Sequence, residues 1–233
     1  MSSYKTGATA VLVHGAWADG SSWSKVIRPL EEAGLQVICA PVPLKSLRED
    51  TEAVAAVLEW VGGPVVLVGH AYAGAVIGAV NDECVKSLVF VAALAPDAGE
   101  TVADMFYRDE KHPDSPELVP KSNGFIWMPA TGFQNAFAQN ATDEEKAISA
   151  AVQRPISVEC IQAPVETPAW KTKPSWYLVA EEDRMINPAT QTFMAERMGA
   201  TVYRRRVDHT PSVTAPGDVV EVVLAAAAAT LSA

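Results

Sequence analysis

The chain has 233 residues, 49% of them hydrophobic and 20% charged, and carries a formal net charge of -10 at pH 7. That composition suits one generous domain, or a core domain with an inserted cap, and excludes a disordered or fibrous chain. The acidic balance, with no basic cluster beyond Arg204-Arg205-Arg206, excludes the basic face that a nucleic-acid binder needs to neutralise phosphates.

Short β-branched runs alternate with longer amphipathic stretches, the pattern of an α/β fold with a mostly parallel sheet flanked by helices. In chain order, strands are expected at Ala8 to Val13, Gln36 to Cys39, Val65 to Val68, Ser87 to Ala92, Ser175 to Ala180 and Thr201 to Arg205. Several are almost wholly apolar, as strands covered on both faces are. Helices are expected at Ser22 to Glu32, Asp50 to Val61, Tyr72 to Asn81, Pro188 to Met198 and Asp218 to Leu231. Asn187 is a natural N-cap for the helix that Pro188 opens. The run Ala225 to Ala229 reads as a helix end, and the arginine run as a solvated strand end.

From Pro96 to Pro174 this rhythm breaks. The stretch holds nine of the sixteen prolines and mixes Phe106, Phe125, Trp127, Phe133 and Phe137 with short helical segments such as Asp143 to Gln153. Inserted between two strands, it reads as a cap (96–174) over the carboxyl ends of a core formed by 1–95 and 175–233.

Cys39, Cys84 and Cys160 are an odd number without a Cys-x-x-Cys pair, which predicts three buried apolar thiols in a reducing compartment, not a disulfide framework or zinc site. The four histidines lack paired ligand spacing, and neither a Gly-x-Gly-x-x-Gly nor a P-loop is present, so no metal or nucleotide cofactor is expected. Met1 to Gly7 lacks an apolar signal core and no stretch is long enough to span a membrane, so a cytoplasmic protein is expected. A homo-oligomer is compatible with the sequence but not specified by it.

Three constellations carry chemistry. Val11-Leu12-Val13-His14-Gly15-Ala16-Trp17 is a strand running into a glycine turn. Gly69-His70-Ala71-Tyr72-Ala73-Gly74 follows an apolar strand, in the manner of the G-x-S-x-G elbow that projects a serine hydroxyl from a tight strand-to-helix turn. Ala71 occupies the serine's place, with no oxygen to attack a carbonyl. Late in the chain, Glu181-Glu182-Asp183-Arg184 follows one strand and Val207-Asp208-His209-Thr210-Pro211 another. A carboxylate at a strand's carboxyl end can hold a histidine in one tautomer. Three acids compete for that role, and Glu181 and Glu182 read as solvated.

These motifs, in this order, resemble the α/β-hydrolase superfamily, most nearly the small bacterial hydrolases with His-Gly-Ala-Trp at the oxyanion loop. The likeness covers nearly the whole chain, including Val89 to Ala93, Ala95-Pro96 and Pro174 to Ala180. It implies the α/β-hydrolase fold, oxyanion donors at the amides of Ala16 and Tyr72, Asp183 as the acid and His209 as the base. His70 is expected to pack or hydrogen-bond under the elbow, and His112 to lie exposed on the cap. His14 is expected to order the oxyanion loop and, with Trp17, Phe106 and Trp127, to face the substrate. Phe133 and Phe137 either extend an apolar wall or form the cap's own core.

The sequence departs from the family at Ala71 and, more mildly, at Ala73, where the elbow has its second glycine. In a serine hydrolase, loss of the nucleophile alone costs on the order of a millionfold in turnover. Three readings follow. One is an ester- or lactone-hydrolysing enzyme inactivated by replacement of its serine. Another is an enzyme that works without acylation, His209 and Asp183 serving as general acid-base in a lyase, a decarboxylase or a water-activating hydrolase. The superfamily resemblance supplies precedents in plant methylketone synthases and hydroxynitrile lyases. The last is a non-catalytic protein that holds a small molecule. The expected partner is a small apolar ester, lactone or β-keto compound.

Overall fold

A computed structural model describes residues 7–232. Met1 to Thr6, which carry most of the stretch read above as lacking a signal core, lie outside them. Six strands, β1 (Thr9–Val13), β2 (Gln36–Ala40), β3 (Val65–His70), β4 (Val85–Val91), β7 (Ser175–Ala180) and β8 (Thr201–Arg205), pair in parallel in the order β2-β1-β3-β4-β7-β8. All six lie where the apolar runs place them. β3 runs two residues past its expected end because the ladder continues to the pair His70 and Val91.

Alternation along the strands feeds two cores. Val11, Leu67, Phe90 and Tyr177 face one side, where they meet α2 (Leu47–Val61), α3 (Ala73–Ala79) and α8 (Pro188–Arg197). Leu12, Val68, Val89 and Leu178 face the other, against α1 (Ser24–Glu32) and α10 (Pro216–Thr230).

Helix boundaries follow local capping chemistry. α2 starts a turn earlier than the apolar spacing predicts because the Ser46 side chain accepts the Glu49 N–H at 3.1 Å, and it stops at Gly62 with φ +59°. Asn187 caps α8 through the Ala189 N–H at 2.8 Å, with Pro188 opening the helix. The first helix begins as a 3-10 turn, Gly20–Trp23, and α3 ends two residues short of its expected limit because Val80 is extended.

Between β4 and β7 the chain forms α4 (Val102–Phe106), β5 (Phe125–Ile126), α5 (Ala130–Gly132), a π-turn (Phe133–Phe137), α6 (Asp143–Val152), β6 (Ile156–Ser157) and α7 (Val158–Gln162). β5 and β6 pair as a small antiparallel sheet, too short for a sequence signal. α9 (Pro211–Thr214) links β8 to α10.

Among the thiols only Cys160 is buried. Cys39, on the edge strand β2, and Cys84, in the loop before β4, are half-buried, contrary to expectation. Desolvation still pushes their pKa values up to about 11 for Cys39 and about 12 for Cys84 and Cys160, so all three stay protonated and inert. No helix among the described residues is long and apolar enough to cross a membrane.

Candidate active site

Parallel register sets Val13 beside Gly69 and Ala180 beside Arg205, so four loops leave the sheet at the same edge. The loop after β3 is a tight turn in which Ala71 has φ +51°, a left-handed conformation that an L-residue adopts only under constraint. The constraint is visible. The Ala71 N–H donates to the Val91 carbonyl at 3.2 Å, and its own carbonyl accepts from Leu94 at 2.9 Å and Gly74 at 3.1 Å. Two glycines permit the close approach. A Cβ on Gly74 would stand 2.4 Å from the Leu94 oxygen, and one on Gly15 would stand 2.9 Å from the His70 oxygen and 3.0 Å from the Ala71 Cβ. The loop after β1 is thereby pressed against the elbow. Ala73, in place of the second glycine, is accommodated within the core at 0% exposure.

The amides of Ala16 and Tyr72 find no hydrogen-bond partner among the described residues. The neighbouring amide of Trp17, by contrast, is tied to the Arg154 carbonyl at 3.0 Å. Tyr72 is fixed from behind, its hydroxyl donating to Asp50 at 2.7 Å. The other oxygen of Asp50 accepts the Leu44 N–H at 2.7 Å. Burial pushes the Asp50 carboxyl above the usual carboxylate range and the Tyr72 phenol well above its own. No sequence signal identified Asp50.

On the opposite loops, His209 Nδ1 donates to Asp183 Oδ2 at 2.8 Å, with both side chains buried. Gln191 donates to that same oxygen at 2.7 Å, while Oδ1 accepts the Met185 and Ile186 amides at 2.7 and 2.9 Å. Glu181 and Glu182 point into solvent, as expected. His209 is also held through its carbonyl, which accepts the Nε2–H of His70 at 2.7 Å. Asp208, fully buried, binds the amides of Asn140 (3.0 Å) and Thr210 (3.2 Å) and the hydroxyl of Thr214 (2.6 Å), tying the insertion to the histidine loop. Desolvation raises its pKa.

Ala16, Trp17, Ala71, Tyr72 and His209 meet on the wall of one cavity of about 60 Å³. Its remaining wall is apolar, including Leu94, Phe106, Ile126, Ile156 and Met185. Trp17 and Phe106 are on this wall. Trp127 is not: it follows β5, where Ile126 turns inward, and is itself 46% exposed. His14 is also absent from the wall; it is buried under the loop, donating through Nδ1 to the Gly15 carbonyl at 2.9 Å. Phe133 and Phe137 are buried, Phe137 packing on the His209 ring at 5.3 Å. His112 is exposed. Among the described residues no group of side chains is arranged to hold a metal ion.

The sheet order and the placing of the functional loops at its carboxyl edge define an α/β protein of the hydrolase type. The chain belongs to the alpha/beta hydrolase family, whose model matches residues 10–222. It is 22% identical over 242 residues to the alpha/beta hydrolase nvfD of Aspergillus novofumigatus, with 93% of this chain and 95% of that protein covered. Solved structures share the fold at low identity. Polyneuridine aldehyde esterase is 19% identical with a TM-score of 0.77, covering 93% of this chain and 98% of its own. A pyrethroid hydrolase from Sphingobium faniae JZ-2 is 21% identical with a TM-score of 0.78, covering 95% and 98%.

Proposed function

We propose that this protein is an enzyme acting on a small neutral carbonyl compound, an apolar ester, lactone or β-keto compound, without forming an acyl-enzyme. The observation that carries the reading is the buried Asp183–His209 pair, whose histidine stands on the wall of an apolar cavity with Ala71 at the nucleophile position. Simple binding has no use for an aligned acid and base. With Nδ1–H given to Asp183, the lone pair of His209 Nε2 is the base. It takes a proton from water, or from carbon next to the substrate carbonyl, and the imidazolium that results is stabilised by Asp183. The charge that develops on the carbonyl oxygen is received by the amides of Ala16 and Tyr72. The segment 96–174 serves as the cap that supplies apolar wall and keeps water from the reacting bonds.

A second reading, a serine hydrolase inactivated at its nucleophile, is favoured by the left-handed φ of Ala71 within an otherwise complete elbow. One experiment separates the two: a panel of short acyl esters, lactones and β-keto esters assayed with the unmodified chain, His209→Ala and Ala71→Ser. The first reading expects turnover of at least one compound by the unmodified chain, falling roughly a hundred- to ten-thousand-fold in His209→Ala. No turnover dependent on His209 would overturn it. The second expects an inert chain that gains several orders of magnitude, with an acyl-enzyme burst, in Ala71→Ser. Absence of that gain would overturn it in turn.

A further inference from the structure

Asp50 is fully buried on α2, and none of the hydrogen-bond partners it has among the described residues is charged. Its Oδ1 accepts the Leu44 N–H at 2.7 Å, and its Oδ2 accepts the Tyr72 hydroxyl at 2.7 Å and the Cys160 thiol at 3.6 Å. Desolvation outweighs these donors and raises its pKa. A carboxylate withdrawn from water without a counter-charge is destabilising, and an apolar side chain of like volume would fill the same space at less cost. Its presence on the inner face of α2 therefore has a reason other than cohesion.

The three donors come from three segments that build the apolar cavity. Tyr72 stands on its wall. Leu44 holds a left-handed φ of +60°, and its carbonyl accepts the Ser157 N–H at 3.0 Å, next to the wall residue Ile156. Cys160 lies on α7 beside the wall residue Ile161. One carboxylate thus joins the elbow to the part of the insertion that walls the cavity. The Ala71–Tyr72 peptide, whose N–H has no partner among the described residues, is tied on the Ala71 side by its carbonyl bonds to the Leu94 and Gly74 amides. Beyond it, Tyr72 is tied by its carbonyl to the Ala75 N–H at 3.0 Å and by its hydroxyl to Asp50. The hydroxyl tether crosses to α2, so it fixes the start of α3 against the insertion, which the bonds within the elbow do not.

We infer that Asp50 is a positioning residue: through the Tyr72 hydroxyl it holds the Tyr72 amide toward the substrate carbonyl oxygen and keeps that donor in register with the Ile156 and Ile161 wall. It touches no reacting atom. The inference rests on the role proposed above for the Tyr72 amide, which receives the developing negative charge whether or not an acyl-enzyme forms. Such a donor must be in place before the charge appears, because one that reorients during the reaction forfeits its advantage.

The test compares Asp50→Asn, Tyr72→Phe and the double variant on the panel of esters, lactones and β-keto esters, in the unmodified chain and again in Ala71→Ser. Asp50→Asn keeps the shape but turns an NH₂ toward its donors. Tyr72→Phe removes only the hydroxyl, and stands in if Asp50→Asn folds poorly. Each single variant should lower kcat roughly ten- to a hundredfold with KM unchanged, and the double variant should fall no further. The ¹⁵N order parameter of the Tyr72 amide, which needs no substrate, should drop in both from the ~0.85 of rigid backbone while that of Ala16 holds. An unchanged order parameter overturns the inference even if neither chain turns over a substrate. So does an unchanged kcat, or a double variant that loses the product of the two single losses. The reading above fails separately, when no turnover depends on His209.

Discussion

Asp183 accepts four N–H groups at once, from Met185, Ile186, Gln191 and His209, which fills both oxygens of a buried carboxylate. An amide in its place would present an NH₂ to some of those donors and lose the preference for the Nδ1–H tautomer of His209. Asp183→Asn should therefore cost roughly a hundred- to ten-thousand-fold in any turnover that depends on His209, with little change in KM. Steady-state kinetics on the best substrate of the panel checks this, and an unchanged kcat would remove Asp183 from the mechanism. At this scale the site was largely legible. The order of elbow, acid and histidine, and a turn sequence that departs from the elbow pattern only at Ala71 and Ala73, are local features of the chain. Which of three consecutive acids turns inward was not a local matter. The Glu181 and Glu182 amides are tied to the Arg205 and Val207 carbonyls, and the Asp183 amide closes a turn onto Ala180, so only Asp183 enters the interior.

The same hierarchy holds for the elements. Each long strand and helix was legible because apolar periodicity persists over many residues, and the ends shifted only where a cap such as Ser46 or a ladder pair such as His70 with Val91 intervened. β5 and β6 are two residues long, and their pairing joins positions about thirty apart, so nothing local marks them. That is why nothing in the sequence marks that Ile126 lines the cavity while Trp127 lies exposed. The packing of α3 under the elbow gives the element its own test. Gly74 lies where a Cβ would meet backbone at the Leu94 oxygen, at 2.4 Å, and backbone does not swing aside as a flexible side chain does. Gly74→Ala should lower unfolding stability by about 1–3 kcal/mol despite alanine's better helix propensity. Urea denaturation measures it; a neutral or stabilising change would show that the elbow is looser than described.

Across the whole molecule, buried titratable groups make stability depend on pH. His70, held near a pKa of about 3 by desolvation, refuses a proton that the unfolded chain takes up near 6.5, so its contribution is intact above that pH and is lost as pH falls toward 3. His14, also lowered by burial, acts in the same direction. Asp50 and Asp208 oppose them: their raised values make the folded state the better proton acceptor, which favours folding at low pH and is lost as pH rises through the folded values. His70 alone should remove about 2–3 kcal/mol between pH 6.5 and 4.5. Urea midpoints across that range should fall in the unmodified chain and flatten in His70→Gln; equal slopes in the two would refute the assignment. Taken by itself, the sequence determined the sheet and its flanking helices and offered the candidate site residues, because hydrophobic period and turn chemistry act over a few neighbouring residues. Only the tertiary structure decided which side chains line the cavity, how Asp183 is held against His209, and that a second, polar cavity lies beyond Trp17. Those depend on how the inserted segment docks across the carboxyl edge of the sheet, through contacts between residues distant in the chain.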